Sequence, residues 1–535
     1  MSDVGVSYKQ HPPSGAFDAI VIGSGIGGLA TAAALSKLAG KRVLVLERHY
    51  VAGGFTHAFR RPGYEWDVGV HYVGEVGGAH PNLKPFFDFV TDGALQWAPL
   101  PDVYDRIFLG DRRFDLPSGT RRFAAAMKAY FPGEEQAIDR YLALIRACGR
   151  SGLPFFAERA LPASVARVAG PAMRFAHLRR ASRTVSEVLD ELTPNAELKA
   201  VLTGQYGDYG MPPSRASFVI HAAVVGHYLG GAWFPVGGGP AIARGIAPVI
   251  EASKGSIVVG ADVAEVLVEG GRAVGVRMAD GRELRAPIVV SDAGARITYD
   301  RLLPGAPAPT ELREGLARVA PSSAHACLYV GLKETDAALG LEGTNLWIYP
   351  DEHHEANIAR FAQDPEAPFP LVYISFPSAK DPSFAARHPG RATIDVITIA
   401  PWSQFAQWSG TKWKRRGADY DALKARWSER LLEVLYRHAP QLRGKVDHAE
   451  LSTPLTTQHF AAHPEGEIYG LDHSPARFRL PIRAATHVPG LYLTGSDVCT
   501  AGVAGALFGG VITSSAILGR NVAFAAMRES RQRAR

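Results

Sequence analysis

The chain has 535 residues, 47% of them hydrophobic, which exceeds what one ordinary core accommodates and sets two structural lobes as the expectation. Three scattered cysteines, Cys148, Cys327 and Cys499, exclude a disulfide framework and a thiolate metal site. The net charge is +6, but no nucleic-acid motif accompanies it, so nucleic acid is set aside as a partner.

The opening "MSDVGVSYKQHPPSGAF" carries no apolar h-region and no small-residue cleavage pattern, so a cytoplasmic protein without a signal peptide is expected. Ala19 to Ile22 is a short apolar run of the kind a buried parallel strand requires. Gly23, Gly25 and Gly28 follow as G-x-G-x-x-G, and Leu29, Ala30, Ala33, Ala34 and Leu38 then recur at helical spacing. Arg42 to Leu46 reads as a second buried strand, ending at Glu47, about 20 residues past the glycines. One glycine permits the turn, one lets the backbone approach a pyrophosphate and one lets helix and strand pack closely. The helix N-terminus offers N–H groups to phosphate, and the acid stands where it can bond a ribose diol. A dinucleotide site is the reading.

A second glycine pair, Gly53-Gly54, precedes "PGYEWDVGVHYVG". Between Glu158 and Glu187 no acid occurs, while six arginines from Arg159 to Arg183 alternate with apolar residues; this stretch reads either as a peripheral membrane contact or as a solvated helix face. Trp233 to Ala295 reads as a glycine loop, an amphipathic helix and short strands. "LVYISF" and "ATIDVITIA" predict two antiparallel strands, and "LKARWSERLLEVLYRHAP" an amphipathic helix ended by Pro440. Trp402, Phe405, Trp408 and Trp413 fit either an apolar tunnel or ordinary core. The adjacent His353 and His354 lack metal-ligand spacing, and no metal is expected. Near the end come a strand, Leu491 to Thr494, then Gly495, Asp497 and a small-residue helix. The uncharged stretches Ala19 to Ser36 and Thr500 to Gly519 are read as buried helices rather than membrane spans, because a span would strand the glycine turn in lipid.

These motifs together resemble the flavin-dependent amine oxidase and phytoene desaturase superfamily. Within it the chain is most similar to retinol saturases and plant-type carotenoid isomerases, through "GGFTHAFRRPGYEWDVGVHYVG", "FPSAKDP" and "LTGSDVCTAGVAGALFGG". The resemblance implies an α/β fold: a Rossmann-like FAD-binding domain (GR2-type) from residues 15–78, 227–295 and 484–525. An interleaved α+β substrate domain takes 79–226 and 296–483, with tails at 1–14 and 526–535. It implies non-covalently bound FAD, held by Gly23, Gly25, Ile26, Gly28, Glu47, Gly53, Gly54, Phe55, Thr56, Gly495, Asp497, Gly502 and Val503, with Val263 meeting the adenine through its backbone. Arg48 would be the loop arginine, although Gly53 and Gly54 stand one residue farther from it than usual. The implied activity is reduction, desaturation or isomerisation of carbon–carbon double bonds in a long isoprenoid. A long unsaturated fatty acyl substrate stays open, for which Lys380 or Arg391 is the carboxylate partner considered; Lys380 is otherwise read as a solvated loop charge. So does a flavin-free lipid escort module, against which the intact glycine set speaks. No second G-x-G-x-x-G follows a later strand, so electrons come from or go to a partner or a transient donor.

The resemblance places "DVGVHYVG", Asp67 to Gly74, beside the flavin ring. Saturation needs a proton as well as a hydride, and His71 or Tyr72 is the candidate donor, His71 because an unperturbed imidazole titrates near neutrality.

Overall fold

Six parallel strands form one sheet in the order Val6–Ser7, Ser256–Val259, Val43–Glu47, Ala19–Ile22, Val289–Ser291 and Leu491–Leu493, in a computed structural model that describes residues 4–533 and residue 535. Strands from the beginning, middle and end of the chain thus lie side by side. Ala19–Ile22 and Val43–Glu47 are buried throughout, which explains their unbroken apolar sequence: helices cover both faces of such a sheet. The helix Ile26–Ala39 packs against Pro240–Glu251 and Gly502–Leu518. Small residues permit the second contact, for a Cβ at Gly510 would stand 2.7 Å from Ala30 Cβ and 2.8 Å from Gly27 O. Among the described residues no single helix is long and apolar enough to cross a membrane.

The second sheet has seven strands, in the order Val446–Ser452, His325–Leu332, Ala392–Ile399, Val372–Ser375, Asn345–Tyr349, Val103–Leu109 and Arg112–Pro117. All pairs are antiparallel except Asn345–Tyr349 with Val103–Leu109. The two strands anticipated from alternation are neighbours here, Tyr373 opposite Ile397. The helix Ala418–His438 buries Tyr420, Leu423, Trp427, Leu431 and Leu435, one stripe at spacings of three and four. Leu431 is fully buried, and Leu431→Ala would cost about 2–5 kcal/mol.

The structure places several of these segments and corrects two readings. The stretches taken as tails join the fold: Val6 pairs with Val258, and the helix Val522–Arg533 packs on Lys84–Thr91. The tryptophan group lines neither of the two large cavities described below; Phe405 packs on Trp427, and Trp413 stacks on His459 at the surface. His354 is a core residue, its Nε2 3.1 Å from Ala200 O. Arg159 does not share the exposed face of its neighbours, for it is buried, donates to Val498 O at 2.7 Å and stacks over Phe155. The helix Ala163–Ala181 beyond it does leave Val165, Val168 and Phe175 exposed.

Candidate active site

The strands Ala19–Ile22, Val43–Glu47, Val289–Ser291 and Leu491–Leu493 end at one edge of the parallel sheet, where the order reverses on either side of Ala19–Ile22. In open parallel sheets this switch point is where ligands bind. A cavity of about 380 Å³ opens there. Its wall includes Gly23, Gly25, Ile26, Glu47, Arg48, Gly53, Gly54, Phe55, Thr56, Val263, Asp497, Gly502 and Val503, thirteen of the fifteen residues assigned to the cofactor from the sequence. Gly28 and Gly495 are not on it. A Cβ at Gly28 would lie 2.4 Å from Gly23 O, and one at Gly495 2.2 Å from Asp292 Oδ1, so both serve close packing behind the wall.

Where Gly23, Gly25, Gly53 and Gly54 face the cavity, the wall is bare backbone, beside the N-terminus of Ile26–Ala39. Gly53 and Gly54 have φ of +119° and +55°, which a Cβ would strain. Glu47 is fixed at the end of its strand: Ser24 N–H and Oγ–H donate to Oε2 at 2.9 and 2.6 Å, and His49 N–H donates to Oε1 at 2.7 Å. Gly53 N–H donates to Ser24 Oγ at 3.0 Å, so one serine ties the acid to both glycine loops. Asp497 takes Ala295 N–H at 2.7 Å and a buried Arg477 guanidinium at 3.1 Å. Arg48 lies 3.7 Å from Asp262, a loose and partly exposed pair. Bare backbone, a helix N-terminus and a held acid form the donor and acceptor set that a dinucleotide diphosphate and ribose require.

Sequence reasoning missed Asp292, which follows Val289–Ser291 and stands against the glycine turn: a Cβ at Gly25 would lie 2.4 Å from its Oδ2. Burial, with Glu47 and Asp497 nearby, pushes its carboxyl up to about 7 despite bonds from the Gly28 and Gly25 backbone. Its place directly after a buried strand, in "VVSDAGA", was the available signal.

A second cavity, of about 2200 Å³, is lined mainly by apolar side chains, among them Phe86, Ile145, Phe156, Val219, Phe508 and Val511. That is larger than the roughly 300–1,000 Å³ of ordinary small-molecule sites. The two cavities share Gly69, His71, Asp208, Tyr469, Gly502 and Val503. His71 therefore stands at the junction, whereas Tyr72 faces the second cavity alone. Cys499 also lines the second cavity.

The chemistry of His71 differs from the expectation. Burial and the nearby Lys380 push its imidazole down to about 3, so it is neutral at pH 7 and is no standing acid. Its Nδ1 lies 3.5 Å from Asp395 Oδ2, and burial raises the Asp395 carboxyl. Lys380 is likewise no solvated charge: it is buried, and its Nζ donates to His71 O at 2.9 Å, to Ser375 Oγ at 2.7 Å and to Asn345 Oδ1. Those three bonds use all its donors. Asn345 Nδ2 in turn donates to Asp105 Oδ1 at 2.8 Å, and Gln205 Nε2 to Asp105 Oδ2 at 2.7 Å. Tyr72 Oη lies 3.1 Å from Asp105 Oδ2 and 2.8 Å from Asp208 Oδ2. A buried polar network thus runs from the "FPSAKDP" turn to the cavity junction.

Residues 21–90 match the family described as NAD(P)-binding Rossmann-like domain. All-trans-retinol 13,14-reductase of Danio rerio is 38% identical over 526 residues, covering 94% of this chain and 86% of that protein. Its Homo sapiens counterpart is 37% identical over 538 residues, covering 96% and 87%. The chloroplastic prolycopene isomerase of Arabidopsis thaliana is 27% identical, covering 94% and 83%. Among solved structures, an oxidoreductase from Methanosarcina mazei superposes with a TM-score of 0.62 at 16% identity, covering 94% of this chain and all of that one, a likeness of fold. By its identity along nearly the whole length, the chain belongs to the all-trans-retinol 13,14-reductase family.

Proposed function

We propose that this protein is an FAD-dependent oxidoreductase acting on carbon–carbon double bonds of a long hydrophobic polyene, a retinoid or a carotenoid. The observation that carries the reading is the meeting of two unlike cavities, one walled by the dinucleotide motifs and one large and apolar, at His71 and Asp208. FAD, held without a covalent link, would supply or accept the hydride. The protein's part is to bind the polyene in the second cavity, present one double bond at the junction and exclude water there. The family relatives named for retinol reduction and prolycopene isomerisation support this substrate class. The acyl alternative loses its candidate partners, since Lys380 has no free donor and Arg391 lines neither cavity.

The second cavity reaches Leu153, Leu161 and Met527, close in sequence to exposed Val165, Val168, Phe175 and Phe524. This supports peripheral contact of that face with a membrane, from which an insoluble substrate would enter.

The test is to reduce the purified flavoprotein under anaerobic conditions and add retinoids, carotenoids or unsaturated fatty acids, following products by mass. A polyene that gains or loses two hydrogens, or changes geometry, is expected. Turnover of fatty acids alone would overturn the polyene assignment, and colourless purified protein that takes up no FAD would overturn the flavoenzyme reading.

A further inference from the structure

Resting on the polyene-reductase reading, we propose that Asp208, rather than His71 or Tyr72, delivers the proton when a double bond is saturated. Asp208 lies in the single turn Tyr206–Tyr209 and borders both cavities, so it is the carboxyl group that stands where hydride donor and polyene must meet. Tyr72 borders only the second cavity, and His71 holds no imidazolium to give.

Hydrogen-bond bookkeeping assigns the proton. The Tyr72 hydroxyl has one hydrogen and lies within bonding distance of two carboxyl groups, at 3.1 Å from Asp105 and 2.8 Å from Asp208. It can donate to one of them, and the other contact closes when that carboxyl brings its own hydrogen. Burial raises the Asp105 carboxyl as well, but Asn345 and Gln205 donate to both of its oxygens and favour its charged form, so it is the ionised member of the pair. Asp208 has Tyr72 as its side-chain partner and carries the hydrogen. Around it also stand Tyr228, Tyr373 and Tyr469, none of which carries charge at neutral pH because burial raises all three phenols. Burial and Asp105 push the Asp208 carboxyl up to about 8, Tyr72 and Lys380 pulling it partly back, which keeps it an acid at pH 7.

Saturation breaks one C–C π bond and makes two C–H bonds. Reduced FAD, when bound, would supply two electrons and one hydrogen as hydride to one carbon. The second hydrogen arrives as a proton on the other carbon as the Asp208 O–H bond breaks, its electron pair staying on the carboxylate. Tyr72 then turns its hydroxyl from Asp105 to the new carboxylate and stabilises it, and solvent returns the proton after product leaves. Asp105, Asn345 and Lys380 are positioning residues for this step.

The test compares Asp208→Asn, which keeps shape and the Tyr72 contact, with Asp208→Glu, which keeps the acid. Asp208→Asn should bind FAD and quench on polyene addition as the parent does, yet lose about 10²–10⁴ in product formation. It should also lose the alkaline limb near pH 8, and Asp208→Glu should regain part of the rate. Independently of turnover, the parent should lose one component of its protonated-carboxyl infrared band as pH rises through 8, and that component should be missing from Asp208→Asn. A parental rate in Asp208→Asn, or a parent whose Asp208 is already carboxylate at pH 7, overturns the assignment. A parent that saturates no polyene fails the functional reading itself, and the proton-donor role with it, a result distinct from a working parent matched by D208N.

Discussion

Ser24 and Glu47 are joined twice, backbone N–H and hydroxyl both donating to one carboxylate oxygen, and the same hydroxyl accepts the Gly53 N–H. The acid that would hold the ribose is therefore aimed by a residue of the first glycine loop and locked to the second. Ser24→Ala should remove two of these bonds and weaken FAD roughly tenfold, about 1–2 kcal/mol, in a flavin-fluorescence titration. Glu47→Ala should weaken it at least as much. Unchanged affinity in both variants would take the pair out of the cofactor site.

Asp292 should make FAD affinity depend on pH. Its carboxyl loses its proton near 7, and the negative charge then stands beside the glycine turn where a diphosphate would bind. FAD affinity should fall as pH rises from 6 to 8, because the anion favours the protonated site. Asp292→Asn should flatten that curve, whereas parallel curves for parent and variant would show that Asp292 does not sense the phosphates.

Lys380 holds the loop that carries His71. Lys380→Met leaves Asn345, Ser375 and the His71 carbonyl without their donor, and urea unfolding should show a loss of about 1–3 kcal/mol. Burial lowers the lysine from 10.5 to about 7, so above pH 7 the unfolded chain binds the extra proton. The stability of the parent relative to the variant should rise with pH between about 7 and 10. A difference independent of pH would place the ammonium outside the buried network.

The exposed face of Ala163–Ala181 should bind anionic vesicles through both charge and apolar contact. Changing Val168 and Phe175 to Ser should reduce cosedimentation, and Arg174, Arg179 and Arg180 to Gln should reduce it further at moderate salt, each arginine contributing about 1 kcal/mol. Arg159→Gln should instead destabilise the fold, since that guanidinium is buried against Val498. Binding untouched by the five surface changes would make the helix a solvated face.

The motifs that line the first cavity were legible because each is a contiguous run: Ile22 to Gly28, Val43 to Glu47 and Leu493 to Val503 carry their strand, turn and helix together. The antiparallel pair at Tyr373 and Ile397 was legible from its alternation. What stayed hidden depends on distant contacts. Nothing in "SAKD" says that Lys380 folds under His71, 309 positions away, and nothing in "YGDYG" says that Asp208 meets a tyrosine from residue 72. Arg159 looked like its neighbours by composition, yet the turn at the end of the helix Glu135–Glu158 buries it. The pKa of His71 could not be read from its type, because burial sets it.

The joining of the two cavities is tested most directly by a single turnover: enzyme with FAD reduced and oxygen excluded is mixed with a polyene alcohol, and the visible absorbance of the oxidised flavin is followed beside product formation. Reoxidation in step with formation of one saturated bond per flavin is expected. Reduced flavin that persists while the polyene sits bound and unchanged would contradict a shared junction at His71 and Asp208.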